Sequence, residues 1–435
     1  MPFMLDFITL PHLSTVDGIW LRPLPHLASA PQTSMSRSLA GVELSIPAMS
    51  LPTFISAPLS TYTARRPRSR IPLCSATPPP RDDSSPSPSS DASWQVLQRR
   101  LALLRDKEVI RDRTIARNWR SGQYDASVVA AVTRDYVRKL SFQDDFLVMG
   151  TASGGVVFSD LVSGRRVTCR HVHTGQVTAI HYRDSYMVSA GASDCEVAVW
   201  QTERYEKRSL WDELDARGEA VDGVLTLPKV RIKTHIDQIS ALRLDVKNSR
   251  VYSASIDGTV RVSHLDTGEE LSMIRVGEPV LSMTLTEKGY LLLGSTSGRV
   301  LAYQAERGFH LLSMVCHNSN TTALAFWEET QVLVTGDAAG NLKVWSFNDS
   351  TLLGTLPKHE AAVMSVQIDG SKVVSSSRDG SVAVFGLASR QRLYSIVGFT
   401  KYLGAATFDD VRLIADGTND FVICHRFDSD QGAGS

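Results

Sequence analysis

Val251-Tyr252-Ser253-Ala254-Ser255-Ile256-Asp257-Gly258-Thr259-Val260-Arg261-Val262-Ser263 reads as two short strands and the turn between them. Apolar and β-branched residues alternate on either side of Asp-Gly, a step that reverses the chain tightly. The same shape returns at 373–385 around Asp379-Gly380, and at 332–345 around Ala339-Gly340. Further copies stand at 291–303 (Ser297-Gly298) and 187–200 (Asp194-Cys195), with weaker ones around Gly154 and Asp420. Aligned on the residue after the aspartate position, the copies fall at Gly154, Cys195, Gly258, Gly298, Gly340, Gly380 and Asp420, at intervals of 41, 63, 40, 42, 40 and 40 residues. A period near forty with four short strands to the unit is that of a propeller blade. The expected fold class is therefore all-β, a seven-bladed propeller over residues 126–427.

With these repeats in view, residues 133–427 resemble the WD-repeat family. The resemblance implies a structural tetrad in each blade: a His before the first strand, a Ser or Thr in the second, the turn Asp, and a Trp in the third. The matching positions in the second unit are His171 or His173, Ser189, Asp194 and Trp200. The third unit offers His235, Ser253 and Asp257, with Ser263 in place of the Trp. The fifth has His317, Thr335 and Trp345 but Ala339 at the Asp position, and the sixth has His359, Ser375 and Asp379 with Phe385. The first, fourth and seventh units lack most of the set.

Ser, His and Asp together invite a catalytic triad. A triad is one constellation at one pocket, whereas this set recurs with the blade period, as a network that fixes each blade would. The pair His171-x-His173 has the spacing of two ligands on one strand face, yet no nearby Cys or carboxylate group completes a site. Neither a metal nor a cofactor is expected.

The interval of 63 marks an insertion of about twenty residues at 201–223, after the third strand of the second unit and before an expected fourth strand at Val230–Lys233. It is expected to project from the face opposite the Asp turns. Leu210, Trp211 and Leu214 share helical spacing there, a candidate partner-binding element, since Trp is enriched at interface hot spots. The other candidate surface is the mouth formed by the turn loops, among them Thr151–Gly154, Ser255–Gly258, Ser295–Gly298, Asp337–Gly340 and Ser377–Gly380. The last unit has strands near 402–407, 411–415 and 421–426, and Ala126–Val132 is expected to supply its fourth. Residues 428–435 form a tail.

Residues 1–93 contain no Lys, are rich in Ser, Pro, Ala and Thr, and cluster Arg65, Arg66, Arg68 and Arg70. Such a leader, Arg-bearing and acid-poor up to Arg81, has the composition of an organellar transit peptide, and from Met35 it resembles a chloroplast one. A disordered tail of a cytosolic or nuclear protein fits the same composition. Residues 94–120 read as a basic amphipathic helix. Trp94, Leu97, Leu101 and Leu104 lie on one face, which is expected to pack on the propeller. Residues 1–120 carry 15 Lys and Arg against 9 Asp and Glu, and the remainder 31 against 37. An acidic propeller argues against nucleic acid as its ligand. The five cysteines (Cys74, Cys169, Cys195, Cys316, Cys424) are widely spaced and odd in number, which suits single thiols in a reducing compartment. No stretch approaches the ~20 apolar residues of a membrane span.

Three functional readings compete. The first is a non-catalytic scaffold or assembly factor in a plastid, binding other proteins or peptide segments. The second is a substrate receptor of a ubiquitin ligase. Arg117-Asn118-Trp119-Arg120-Ser121-Gly122 is similar to the segment joining F-box and WD repeats in F-box proteins, and the propeller is most similar to theirs. No recognisable F-box precedes it, and neither Trp200 nor Trp345 begins a Trp-Asp-x-Arg signature. The third, a propeller enzyme, would need Arg, His and carboxylates converging on the central channel. The oligomeric state is left open by the sequence.

Overall fold

The computed structural model describes residues 89–132, 135–206, 222–399, 403–418 and 421–429. Their strands form seven sheets, six of four strands and one of five. Blade 1 holds Val137–Gln143, Phe146–Thr151, Val156–Asp160 and Arg166–Cys169. Blade 2 holds Val177–Arg183, Tyr186–Gly191, Glu196–Gln201 and Val230–Lys233. Blades 3 to 6 begin at Ile239, Val280, Thr321 and Val363 and end at Arg275, Val315, Leu356 and Val397. Blade 7 combines Ala406–Phe408, Arg412–Thr418 and Phe421–Arg426 with Asp125–Ala131, which pairs antiparallel with Phe421–Arg426 and closes the ring. That closure removes an open edge between the first and last sheets.

Burial follows position within the blade. A second strand such as Lys372–Ser377 is buried at all six residues, because sheets stack on both its faces. Outermost strands such as Glu270–Arg275 are mostly exposed. Neighbouring blades are pinned near the axis by hydroxyls of the innermost strands. Thr178 donates to the Ile239 carbonyl, Ser240 to Val280 and Thr322 to Val363, each at 2.6 Å. Ser282 reaches the Thr321 carbonyl at 3.1 Å, and Ser365 accepts from the Ala406 amide at 3.0 Å. Blade 1 meets blade 2 through Ser141, which accepts from the Tyr182 amide. Blades 7 and 1 are joined by Arg412, which donates to Asp145 at 3.0 Å.

Among the described residues the one α-helix, α1, spans Ser89–Ser121. It is longer at both ends than 94–120, and its relation to the ring differs from expectation. Only its last turns are seated: Ile115, Asn118 and Trp119 are buried, and Ile115 and Trp119 join a cluster that includes Val374 and Ile396 of blade 6 and Leu413 and Phe427 at blade 7. The Trp119 ring stacks on Phe427 with centroids 3.7 Å apart, its N–H donates to the Asp410 carbonyl at 2.8 Å, and the Lys372 ammonium lies 4.4 Å from its centre. Asn118 donates to the carbonyls of Phe427 and Ser429. Gly122, at φ 73°, stops the helix, its amide and that of Gln123 turning back to the Asn118 carbonyl. The Arg117–Gly122 segment is thus the clasp between helix and ring. Leu101 and Leu104, expected to pack, stand in solvent, because the helix runs past the ring before reaching them. The side chains of Trp94 and Leu97 lie outside the described residues.

The insertion also departs from a simple projection. Leu210, Trp211 and Leu214 lie outside the described residues, but both arms are defined. The outgoing arm is fixed by Glu206, which accepts hydrogen bonds from Tyr182, Ser185 and Thr202. The return arm crosses to blade 1. Asp222–Val224 pairs parallel with Arg166–Cys169 as that blade's fifth strand, and the Leu225 amide donates to Thr168 at 3.0 Å. An outermost strand has a row of unpaired backbone groups, and the returning chain satisfies part of it. Among the described residues, no helix is long and apolar enough to cross a membrane.

Candidate functional site

The chemistry-bearing side chains gather at the turns between second and third strands. In blade 3, His235 Nδ1 lies 3.0 Å from Asp257 and Nε2 lies 2.9 Å from the Ser253 hydroxyl. In blade 6 the distances from His359 to Asp379 and Ser375 are 2.8 and 2.7 Å. In blade 2 both are 2.8 Å, to Asp194 and Ser189, but the ring is that of His173. His171, the other histidine at the matching position, is exposed in the left-handed region at φ 55°, and the chain must run two residues further before a ring can enter the blade.

Blade 5 builds the network from a different residue. His317 Nε2 is 2.7 Å from the Thr335 hydroxyl, which also accepts from the Trp345 indole at 3.0 Å. The carboxylate facing His317 Nδ1, at 3.3 Å, belongs to Asp337 and not to position 339. Asp337 lies at the end of the second strand and accepts from the amides of Ala339 and Asn341 and from the side chains of Ser319 and Asn341. The Asp-x-x-Gly-Asn pattern at 337–341 was the available signal, an aspartate two residues early with an asparagine to hold it. Trp200 leaves its expected place in the second tetrad: buried as it is, its indole donates to the Thr226 carbonyl on the return arm of the insertion. Blade 3 has Ser263 where the indole would be, and in blade 6 Phe385 meets His359 edge-on at 6.4 Å.

Electrostatics fixes the proton positions. Burial pulls His235, His317 and His359 below the usual imidazole value, against the pull of their aspartates. Burial pushes the carboxyls of Asp194, Asp257, Asp337 and Asp379 up. Side-chain hydrogen bonds, from His173, Thr259, Asn341 and Ser381 respectively in first place, outweigh it, and all four titrate below the usual carboxylate value. With the carboxylate ionised and accepting, Nδ1 donates in blades 2, 3 and 6, and Nε2 accepts from the serine. That is the connectivity of a hydrolytic triad, three times over. Ser189 and Ser375 have no solvent-accessible surface and Ser253 very little, so no substrate carbonyl reaches these hydroxyls. Networks so placed lock second strand, turn and incoming chain together.

The turns also couple blades. Gly154, Gly298 and Gly340 lie at φ 87°, 78° and 88°, and a Cβ there would stand 2.2, 2.1 and 2.4 Å from the carbonyl oxygens of His173, His317 and His359. Each turn therefore abuts the histidine of the following blade. What faces solvent on this rim is Ser153, Ser193, Ser297, Ala338 and Arg378, with Thr174, Ile236, Asn318 and Glu360 just past the histidines. Ile236 is 86% exposed. A polar rim on a fixed frame suits peptide or protein segments. Among the described residues no group of three His, Cys, Asp or Glu side chains is placed to hold a metal.

The WD domain, G-beta repeat family matches residues 350–385, the outer strand of blade 5 and the first three strands of blade 6. Human apoptotic protease-activating factor 1 is 25% identical over 239 residues, 54% of this chain and 17% of that protein. The periodic tryptophan protein 2 homolog of Caenorhabditis elegans is 22% identical over 251 residues, 57% of this chain and 21% of that protein. Zinc finger CCCH domain-containing protein 17 of Oryza sativa subsp. japonica is 25% identical over 174 residues, 39% of each. The chain thus spans well under half the length of these relatives. Among solved structures, the computationally designed protein Ika8 superposes with a TM-score of 0.51 at 22% identity, covering 67% of this chain and 83% of that one. With seven blades closed by the strand Asp125–Ala131 and a match to the WD domain, G-beta repeat family at residues 350–385, the chain is a seven-bladed β-propeller that carries a WD repeat.

Proposed function

We propose that this protein is a non-catalytic scaffold or assembly factor that holds protein or peptide segments against its ring, and that it works in a plastid. Propellers of this type typically mediate protein–protein interaction or assembly. The observation that carries the reading is the burial of the serine and the histidine of every Ser–His–Asp set: the hydroxyls that could act as nucleophiles are sealed into the frame, and a polar rim of turns is what meets solvent. The plastid assignment is supported by the Lys-free, Arg-clustered composition of residues 1–93.

The test joins location to capture. A full-length fluorescent fusion is compared with one lacking residues 1–76, and tagged full-length protein is cross-linked and purified beside an Ile236→Asp/Arg378→Glu rim variant. Leader-dependent plastid import, with partners lost in the rim variant, is the expected result. Cytosolic or nuclear signal from both fusions overturns the plastid assignment and puts a ubiquitin-ligase receptor first. Partners that the rim variant retains in full overturn the assignment of binding to this rim.

A further inference from the structure

Helix α1 carries a surface that the ring does not use. Every residue from Gln98 to Arg113 is exposed, yet five of them are large and apolar. Leu101, Leu103, Leu104, Val109 and Ile110 are 47, 61, 56, 47 and 60% exposed. Single exposed leucines are ordinary, but five such side chains within three turns mark an interaction surface. The stripe that seats the helix continues into this stretch. Leu101 precedes Trp119 by five helical turns and Leu104 precedes Ile115 by three, so all four share a side. Trp119 and Ile115 are buried against blades 6 and 7; Leu101 and Leu104 repeat the pattern where no blade lies beneath them. Leu103 and Ile110, seven residues apart, form a second row; Arg100 and Lys107 stand between the rows, and Arg111, in line with them, is paired with Asp428 at the end of blade 7.

Charge selects the occupant. From Gln98 to Arg120 the helix carries Arg99, Arg100, Arg105, Lys107, Arg111, Arg113, Arg117 and Arg120 against Asp106, Glu108 and Asp112. A second copy of the same helix would set this excess against itself. A bilayer would have to take up Glu108, which lies on the seated stripe between Leu104 and Ile115. We propose that residues 98–113 are a docking arm for an acidic amphipathic helix of another protein, its apolar positions meeting the two rows and its carboxylates meeting Arg100 and Lys107. This rests on the protein-binding reading and adds a second surface, remote from the rim turns in sequence and different in chemistry.

The probe is a fluorescein-labelled synthetic helix of three heptads, Leu at the a and d positions and Glu at the flanks, beside a twin with Lys for Glu. Anisotropy is read against the full-length protein, a Leu101→Asp/Leu104→Asp variant and an Arg100→Glu/Lys107→Glu variant, with circular dichroism and melting to show that all three are folded. The Glu helix should bind and the Lys twin should not. The leucine variant should weaken binding at least about tenfold, and the charge variant should exchange the preference. The proposal is overturned by equal binding of both helices, by binding that neither variant changes, or by no binding. It is also overturned by full-length dimers that the leucine variant abolishes, or by pelleting with phosphatidylglycerol vesicles in place of peptide binding. If the arm fails while cross-linking still captures partners on the rim, the protein-binding reading stands alone; if neither surface binds anything, both fall.

Discussion

Asp337 stands two positions ahead of the place where its sister blades keep their aspartate, yet it faces the same histidine. The strand carries it to the point where the turn begins, and Asn341 and Ser319 close around it. Spacing alone pointed to Ala339 and left the blade without a carboxylate; only the turn geometry shows which residue the histidine meets. His173 displaced His171 for a similar reason, because which ring enters a blade depends on how the preceding turn is wound. The remaining histidines, hydroxyls and aspartates of blades 2, 3 and 6 were legible because they cluster around an Asp-Gly or Asp-Cys step, the hydroxyl four or five residues before the aspartate and the histidine 20 or 22 before it. Two predictions belong at this scale. Gly298→Ala forces a methyl group toward the His317 carbonyl at a left-handed φ and should cost about 3 kcal/mol in urea unfolding. A loss below about 1 kcal/mol would mean that the turn relaxes freely. The second concerns Asp416, whose carboxyl is fully buried, accepts from the amides of Gly404 and Ala405, and has one oxygen without a partner. Burial raises it to about 7, so its contribution to stability is present below the ordinary value of 3.8 and is lost as pH rises through about 7. The depressed imidazoles of blades 3, 5 and 6 act oppositely: their share is present above 6.5 and falls as the pH drops below it. Asp416→Asn should therefore gain in melting temperature, relative to the native chain, between pH 5 and pH 8; a difference that does not change with pH would refute this.

At the scale of elements, regular strands were readable and irregular ones were not. The blades announce themselves because alternation, turn and stacking residue must recur wherever a sheet meets two neighbours. The fifth strand of blade 1 could not be read: Asp222-Gly223-Val224 is too short to alternate, and parallel pairing with a segment from the preceding blade has no local signature. Its energetic anchor is Leu225, buried in one cluster with Phe158, Trp200 and Tyr205. Leu225→Ala should cost about 2–5 kcal/mol and speed hydrogen exchange at the Trp200 indole. Unchanged exchange there would show that the arm does not depend on this residue. The helix was legible as a helix, but its seating was not, since a face of leucines promises a partner without saying which one. Trp119→Ala, removing a stacked and hydrogen-bonded ring, should cost about 3–5 kcal/mol and leave the blades assembled, as thermal melting beside strand-specific exchange will show. Loss of the whole ring would instead make the clasp part of the propeller's own core.

For the whole molecule, seven blades form a circle of neighbours, each pinned to the next by a hydroxyl, an amide or, between blades 7 and 1, the Arg412–Asp145 pair. Cooperativity then depends on the one sheet whose strands come from opposite ends of the sequence. A chain beginning at Val132 lacks Asp125–Ala131 and should lose its single melting transition, whereas one beginning at Ser89 should melt as the full chain does. A sharp transition for the shorter chain would mean that three strands suffice to close the circle. The same sheet decides how the protein answers a pull. Asp125 is opposite Arg426, so the two segments entering and leaving blade 7 depart from the same corner of the sheet. Traction on them would peel the ladder one rung at a time, the weakest loading a pair of strands can receive. Asn118 and Arg111 bridge the departing segments outside that ladder, through the carbonyls of Phe427 and Ser429 and the carboxylate of Asp428. They take up the strain first, a strain relief fitted where the cable enters the housing.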